Sequence, residues 1–237
     1  MPDFRKTLYD RYVSDFKALG QQRDRSTVWA AHKLGPLLNG LDTTASILEL
    51  GCGDGRMLEF LSQRGFTDTQ GLDISEEQVL LARDRGCRAI VADGLRYLTE
   101  HPGRFDAILA LDFVEHFHKD ELVDLSSAMF QALKPGGRLI LQTPNGQGLL
   151  AGQVVFGDMT HLTIFTPNSL RQLLQRTGFR EFAFQETGPV PAGAVGLLRT
   201  GLWHAIKSVA AAIHRIETGK SQTIWTENLI SYCERPR

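Results

Sequence analysis

The sequence predicts an α/β fold built on a doubly wound, mostly parallel sheet, and three observations carry that reading. Short apolar runs alternate with stretches whose apolar residues fall at helical spacing, the pattern of parallel strands joined by right-handed crossovers. One run, Ile47-Leu48-Glu49-Leu50, leads into a glycine-rich loop, Gly51-Cys52-Gly53-Asp54-Gly55-Arg56. Later runs close on the acids Asp73, Asp93 and Asp112, which a parallel sheet gathers along the edge where its strands end.

Residues 3–20 and 24–40 read as two helices ahead of the first strand, the second stopping near Asn39-Gly40. Tyr9, Tyr12 and Trp29 are expected to anchor these helices to the core rather than to touch a ligand. The glycine loop permits positive φ and a close ligand approach as the chain enters a helix over 54–64. Its spacing is G-x-G-x-G and not the G-x-G-x-x-G that seats a pyrophosphate, and Glu49 just upstream suits a cation.

Gln70-Gly71-Leu72-Asp73-Ile74-Ser75 reads as the second strand, ending in an acid about 20 residues on, where nucleotide-binding α/β folds place a ribose-binding carboxylate. Asp73 should accept bonds from both ribose hydroxyls, with Ser75 capping a helix over 76–85. Arg88-Ala89-Ile90-Val91-Ala92-Asp93-Gly94 repeats the pattern. Phe105-Asp106-Ala107-Ile108-Leu109-Ala110-Leu111-Asp112 gives a fourth strand, followed by Phe113-Val114-Glu115-His116-Phe117. For Asp93 and Asp112 a helix N-cap is a serious rival role. After a helix over 120–133, Leu133-Lys134-Pro135-Gly136-Gly137-Arg138-Leu139-Ile140-Leu141 supplies a turn and a fifth strand.

The next segment, 143–148, is too rich in turn formers for regular structure, and Thr166-Pro167 opens a further helix that Gly178-Phe179 ends before a sixth strand. Toward the C-terminus, Leu198, Leu202, Ile206, Val209, Ile213 and Ile216 fall at steps of four and three, an apolar stripe with Arg199, Lys207 and Arg215 on the other side. The plain expectation is an inserted helix packed by that stripe on its own domain. A basic amphipathic helix can also lie on an anionic membrane, cap an active site or pair with another subunit. Residues 223–234 would return as a last, antiparallel strand.

Taken in order, the loop at Glu49–Gly55, the acids at Asp73, Asp93 and Asp112 and the turn at 134–137 resemble the motif series of the class I S-adenosylmethionine-dependent methyltransferases. The resemblance covers about residues 45–185. The segment from His161 through Thr166, Ser169-Leu170 and Gly178-Phe179 is similar to a subgroup near the ubiquinone-pathway and cell-surface-sugar O-methyltransferases. It implies a seven-stranded sheet of order 3-2-1-4-5-7-6 and S-adenosyl-L-methionine as cofactor. The cofactor would be held by Glu49, Gly51, Cys52, Gly53, Gly55, Asp73, Ile74, Ala92, Asp93, Gly94, Leu111 and Asp112, with an acid at the third strand meeting the adenine amino group. The whole chain then reads as one methyltransferase domain: a helical cover over 1–44, a cofactor core over 45–187, a helical insertion over 188–222 and the last strand over 223–237.

With 237 residues and 42% apolar content the chain can bury one sizeable core, and a formal net charge of −1 provides no basic field for a polyanion, so a nucleic-acid substrate is disfavoured. Three separated cysteines, Cys52, Cys87 and Cys233, and an N-terminus without an apolar signal core lead to the expectation of a reducing, cytoplasmic setting. The acceptor is expected to be a small molecule, sugar or lipid-linked hydroxyl, met in the cytoplasm or at the inner membrane surface. A homodimer is also compatible.

A hydroxyl acceptor benefits from a base, and His161 and His116 are the candidates, with Asp158 three residues before His161 placed to orient its ring if the turn is helical. No metal is expected, although Asp112, Glu115, His116, Asp158 and His161 could converge, because no helical H-x3-H or cysteine pair supplies a rigid ligand core. The fourth strand is followed by Leu111-Asp112-Phe113-Val114 where amino-directed relatives often carry Asn-Pro-Pro-aromatic, which favours oxygen acceptors. Two other classes remain: a cofactor-binding regulatory or partner subunit without transfer, and a nicotinamide oxidoreductase, which the glycine spacing and Glu49 disfavour.

Overall fold

A computed structural model describes residues 26–237. Two short helices, α1 (Ser26–Lys33) and α2 (Gly35–Leu38), precede the sheet. The expected single helix over 24–40 is broken at Gly35-Pro36, since proline cannot continue a helix whose preceding turn needs its N–H. The helix expected over 3–20, with Tyr9 and Tyr12, lies outside the described residues. Trp29 acts as an anchor, its indole N–H donating to the Thr187 carbonyl at 2.9 Å.

The chain then alternates: β1 (Ser46–Leu50), α3 (Arg56–Gln63), β2 (Asp68–Asp73), α4 (Glu76–Asp84), β3 (Ala89–Val91), α5 (Gly94–Glu100), β4 (Phe105–Leu111), a 3₁₀ turn (Val114–His116), α6 (Lys119–Ala132) and β5 (Leu133–Pro144). It ends with α7 (Gly152–Phe156), α8 (Pro167–Thr177), β6 (Arg180–Glu186), α9 (Gly193–Thr218) and β7 (Asn228–Glu234). The strands form one seven-stranded sheet of order β3-β2-β1-β4-β5-β7-β6, with β7 antiparallel to both of its neighbours.

Side-chain alternation divides the core between the two faces of the sheet. Leu48, Leu50, Ile108, Ala110, Leu139 and Leu141 face α6 and α8, while Ile47, Ala107, Leu109, Ile140 and Ile230 face α1, α2 and α3. The turn expected at 134–137 lies inside β5 as a break in register: Phe105 pairs with Leu133, and Ala107 with Arg138. Helix starts follow local chemistry. Ser75 caps α4, Asp93 caps α5 through the Arg96 N–H, and Thr166 and Ser169 cap each other's end of α8. Neither α5 nor α7 was marked by the sequence pattern, each being too short to show a period.

The C-terminal stripe overturns the expectation of a packed insertion. No residue of α9 is buried, and Leu202, Ile206 and Val209 are 57%, 49% and 63% exposed. The helix meets the domain through another face, on which Trp203 and Lys207 reach the Glu186 carboxylate and His214 lies edge-on to Trp225. Among the described residues no helix is long and apolar enough to cross a membrane.

Gly71, on β2 two residues before Asp73, ties core packing to the cavity edge. A Cβ there would fall 2.6 Å from both Cys52 and Leu58. Gly71→Ala is expected to destabilise the fold by about 1–3 kcal/mol through overpacking, and Gly71→Ala with Cys52→Ala to recover part of it, as read by urea denaturation.

Candidate active site

The carboxyl ends of β1, β2, β3 and β4 open on a cavity of about 720 Å³. Its cofactor-side wall includes Gly51, Gly53, Asp73, Ile74, Ala92, Asp93, Gly94 and Asp112, together with Gln78 and Val91, which the sequence reading did not single out. Across the opening stand Phe113, Glu115, His116, Phe117, Pro144, Val154, Asp158, His161 and Asn228. Segments far apart in sequence thus share one crevice, as the end of an α/β sheet requires.

Asp73 fixes the shape of the loop. One carboxylate oxygen accepts the Gly53 N–H at 2.9 Å and the other accepts the Ser75 N–H at 2.9 Å. Gly53 has φ 52°, and a Cβ there would meet nothing nearer than Gln78 Oε1 at 3.8 Å, so any side chain would project into the cavity. Cys52, Gly55 and Leu111 are not part of the cavity wall. Cys52 is buried against Gly71, Leu111 packs on the α1–α3 side of the core, and a Cβ on Gly55 would come within 2.8 Å of Ala82 on α4.

Glu49 lies behind the wall. It is 3% exposed, and its Oε2 has no hydrogen-bond partner. Burial, with Asp73 and Asp54 close by, pushes its carboxyl well above the usual carboxylate range. A nearby cation would favour its charged form. Asp112 sits in left-handed backbone at φ 51° and accepts both Gln142 amide contacts, at 3.0 and 2.9 Å, so it is not a helix cap. Burial raises its pKa, against the opposing pull of the Gln142 amide and of His161.

The two histidines lie together, ring centres 5.1 Å apart. Asp158 does not orient His161: Asp158 Oδ1 accepts the Thr160 N–H at 2.8 Å and the Thr160 hydroxyl at 2.6 Å, while only the Asp158 backbone carbonyl reaches His161, through its N–H. The Thr160 hydroxyl continues to His116, with Nδ1 2.9 Å from Oγ1 and 3.2 Å from the Thr160 carbonyl oxygen. Because the hydroxyl proton points at Asp158, His116 Nδ1 is the donor in that contact. Burial lowers the His116 pKa despite the carbonyls that favour its charged form, so the ring is neutral near pH 7. Burial pushes the Asp158 pKa up, but the Thr160 hydrogen bonds, with His161 and His116 nearby, together bring it below its ordinary value.

Glu115 is fully buried beside Thr143, with burial and Asp112 raising its pKa well above normal, and its backbone carbonyl anchors the segment after His161 by accepting the N–H groups of Leu162 and Thr163. One ligand atom each from Glu115, His116 and His161 lie within 4.8 Å of one another, a donor set that suits a divalent ion. These three were among the five residues whose convergence the sequence allowed, and folding brings them together although no rigid ligand pair such as H-x3-H announces them.

A doubly wound sheet whose strand ends gather a glycine loop and several carboxylates defines a nucleotide-cofactor-binding protein. Residues 21–181 match the family described as methyltransferase domain, and the chain belongs to that family, the class I S-adenosylmethionine-dependent methyltransferases. It is similar to a ubiquinone biosynthesis O-methyltransferase of Pseudomonas paraeruginosa, 31% identical over 147 residues, 56% of this chain and 62% of that one. It is also similar to a human protein described as probable tRNA methyltransferase 9B, 36% identical over 96 residues, 40% of this chain and 20% of that one. The chain thus spans less than two thirds of the length of these relatives. In fold it is similar to a SAM-dependent methyltransferase from Archaeoglobus fulgidus, TM-score 0.65 at 19% identity over 98% of this chain and all of that one. A Haloferax volcanii methyltransferase in complex with its Trm112 activator gives TM-score 0.67 at 15% identity over 97% and 98% of the two chains.

The residues present fit S-adenosylmethionine, the family's cofactor: Asp73, Asp93 and Asp112 on the wall, with the unpartnered Glu49 oxygen buried behind it, give the cavity a negative field suited to a cationic ligand, and Gly53 leaves open the space that a side chain would fill. Asp73→Ala is expected to weaken binding of the demethylated cofactor at least about 10-fold by calorimetry, each charge-assisted hydrogen bond contributing about 1.5–3 kcal/mol; unchanged affinity contradicts the placement. Glu49 also makes the empty protein pH-sensitive. With its folded pKa raised, its stabilising contribution is complete below the ordinary value of 4.5 and is lost as pH rises through the folded value. Glu49→Gln should therefore flatten the fall of stability above that pH, by at most about 1.4 kcal/mol per pH unit.

Proposed function

We propose that the chain transfers a methyl group from S-adenosylmethionine directly to a hydroxyl oxygen of a small, largely apolar acceptor, a phenol or a lipid-linked hydroxyl compound. The observation that carries the reading is the His161 imidazole in a cavity wall that also presents the apolar Phe113, Phe117, Pro144 and Val154, beside the polar Glu115, His116, Asp158 and Asn228. A hydroxyl must lose its proton during attack, whereas a neutral amine already carries a reactive lone pair. The similarity to ubiquinone biosynthesis O-methyltransferases supports the same choice of acceptor atom.

When bound, the cofactor supplies a methyl group already activated by its sulfonium. The chain's part is to align, to exclude water and to take up one proton. Asp73 and the loop at Gly51 to Gly53 set the cofactor side, and Phe113 and Phe117, with ring centres 5.0 Å apart, form an apolar wall that displaces solvent. His161 Nδ1 is buried without a partner, which leaves Nε2 as the ring atom to take the acceptor's proton. Asp112 and Asp158 both act on His161 electrostatically and stabilise the imidazolium that forms. His116 holds Thr160 and with it Asp158, a positioning role. Exposed Leu150, Phe156 and Met159, in the same segment as Val154 and Asp158, give an apolar acceptor tail a surface to leave by.

With an acceptor identified from a panel of phenols, lipid-linked alcohols, amines and tRNA, His161→Ala is expected to lower turnover roughly 100-fold or more while leaving cofactor affinity near wild type. Transfer to amines or tRNA in preference to hydroxyls contradicts the reading, and cofactor binding with no transfer to any of the panel favours a partner subunit. A chelator should leave turnover unchanged. Loss restored by a divalent ion would instead place that ion among Glu115, His116 and His161.

A further inference from the structure

Helix α9 presents to solvent an apolar surface that nothing among the described residues covers. Val195, Leu198, Leu202, Ile206, Val209, Ile213 and Ile216 are all exposed, Ile216 to 87%. The helix cannot roll this stripe inward, because its other face is fixed at three points: Lys207 Nζ is 2.5 Å from Glu186 Oε2, Trp203 donates to the same oxygen, and His214 packs on Trp225.

The stripe has the geometry of a seam between helices. Positions 195, 199, 202, 206, 209, 213 and 216 advance by alternating steps of four and three, a repeat of 3.5 residues, so that Arg199, expected on the opposite side, instead borders the stripe as its one interruption. Five of the six apolar members, Val195, Ile206, Val209, Ile213 and Ile216, are β-branched, while alanines at 205 and 212 flank the seam and allow close approach. A surface patch of this length and regularity marks an association site.

We propose that this seam is the pairing surface for a second copy of the chain, two α9 helices lying antiparallel about a two-fold axis near residues 207–208. In that register Leu202 meets the partner's Ile213 and Ile206 meets the partner's Val209. Arg199 then lies beside the partner's Ile216 and reaches the partner's Glu217. Glu217 is the only acid in the helix, and Arg199 makes no ion pair among the described residues, so the two-fold matches one unused cation with one unused acid at each end of the seam. A parallel pair would set Arg199 against Arg199. From Arg199 to Ile216 the seam runs about 26 Å. The exposed aliphatic side chains of two copies supply roughly 500–1,100 Å², the low end of a specific interface, and so a micromolar dimer.

Charge distribution argues against an anionic membrane as the occupant. A helix lying on lipid flanks its apolar face with cations, but here Lys207 is held inward by Glu186, His204 and Arg215 lie on the far side of the helix, and only Arg199 borders the stripe.

The test is sedimentation of the full chain from about 0.1 to 100 µM. Reversible dimerisation is expected for the wild type. Ile206→Glu should be monomeric throughout, with unchanged circular dichroism and cofactor affinity, since residue 206 already faces solvent. Arg199→Glu should weaken the dimer about 10-fold or more, and adding Glu217→Arg should restore it, which only the antiparallel register explains. A wild-type chain monomeric at 100 µM overturns the proposal, as does a dimer that Ile206→Glu leaves intact. Flotation with anionic vesicles at low salt by a chain that does not dimerise gives the face to a membrane instead.

Discussion

The Asp73 carboxylate is the tie on which the cavity edge depends. It ends β2, accepts the Gly53 N–H from the loop after β1 and accepts the Ser75 N–H at the start of α4, so three elements are held by one side chain. Each of those N–H groups would otherwise be an unpaired donor at the end of a strand or helix. The arrangement concentrates negative charge. Asp73 stands near the buried Glu49, and Asp112 near the buried Glu115, and in each pair the inner carboxyl is driven toward its neutral form. A site so built has its electrostatic demand met by a cationic ligand, which is the property that distinguishes this glycine loop from one made for a pyrophosphate.

The side of the cavity that carries His116 and His161 follows a different logic. There the backbone is held by side chains that bond locally, Asp158 to Thr160 and Glu115 through its carbonyl to Leu162 and Thr163. Local turn bonds of the Asp-x-Thr kind form within three residues and compete successfully with longer reaches. His161 is thereby left as a ring without a partner on Nδ1, beside a neutral His116. One imidazole is tied to Thr160, while its neighbour keeps an unpartnered ring nitrogen.

Much of this was legible in the sequence because strands punctuated by glycines and acids announce their ends. The sheet, the caps at Ser75 and Thr166 and the convergence of Asp73, Asp93 and Asp112 all follow from such local signals. What was not legible depended on distance or on sign. The Asp158–Thr160–His116 chain joins residues 44 apart, and no spacing rule connects them. Asp158 was expected at the His161 ring because three residues can make a helical turn, yet the shorter Asp-x-Thr turn won. The period of α9 was plain, but a period does not say whether its apolar face meets its own domain. Here Glu186 holds the opposite face, and the stripe is left outside.

The central claim is that a buried acid and a carboxylate-tied glycine loop make this a site for a cationic nucleoside cofactor and not for a dinucleotide. Competitive calorimetry on the purified chain tests it most directly. The account predicts that S-adenosylmethionine and its demethylated product bind and displace each other while NAD at millimolar concentration displaces neither. Tight NAD binding that excludes S-adenosylmethionine would contradict it.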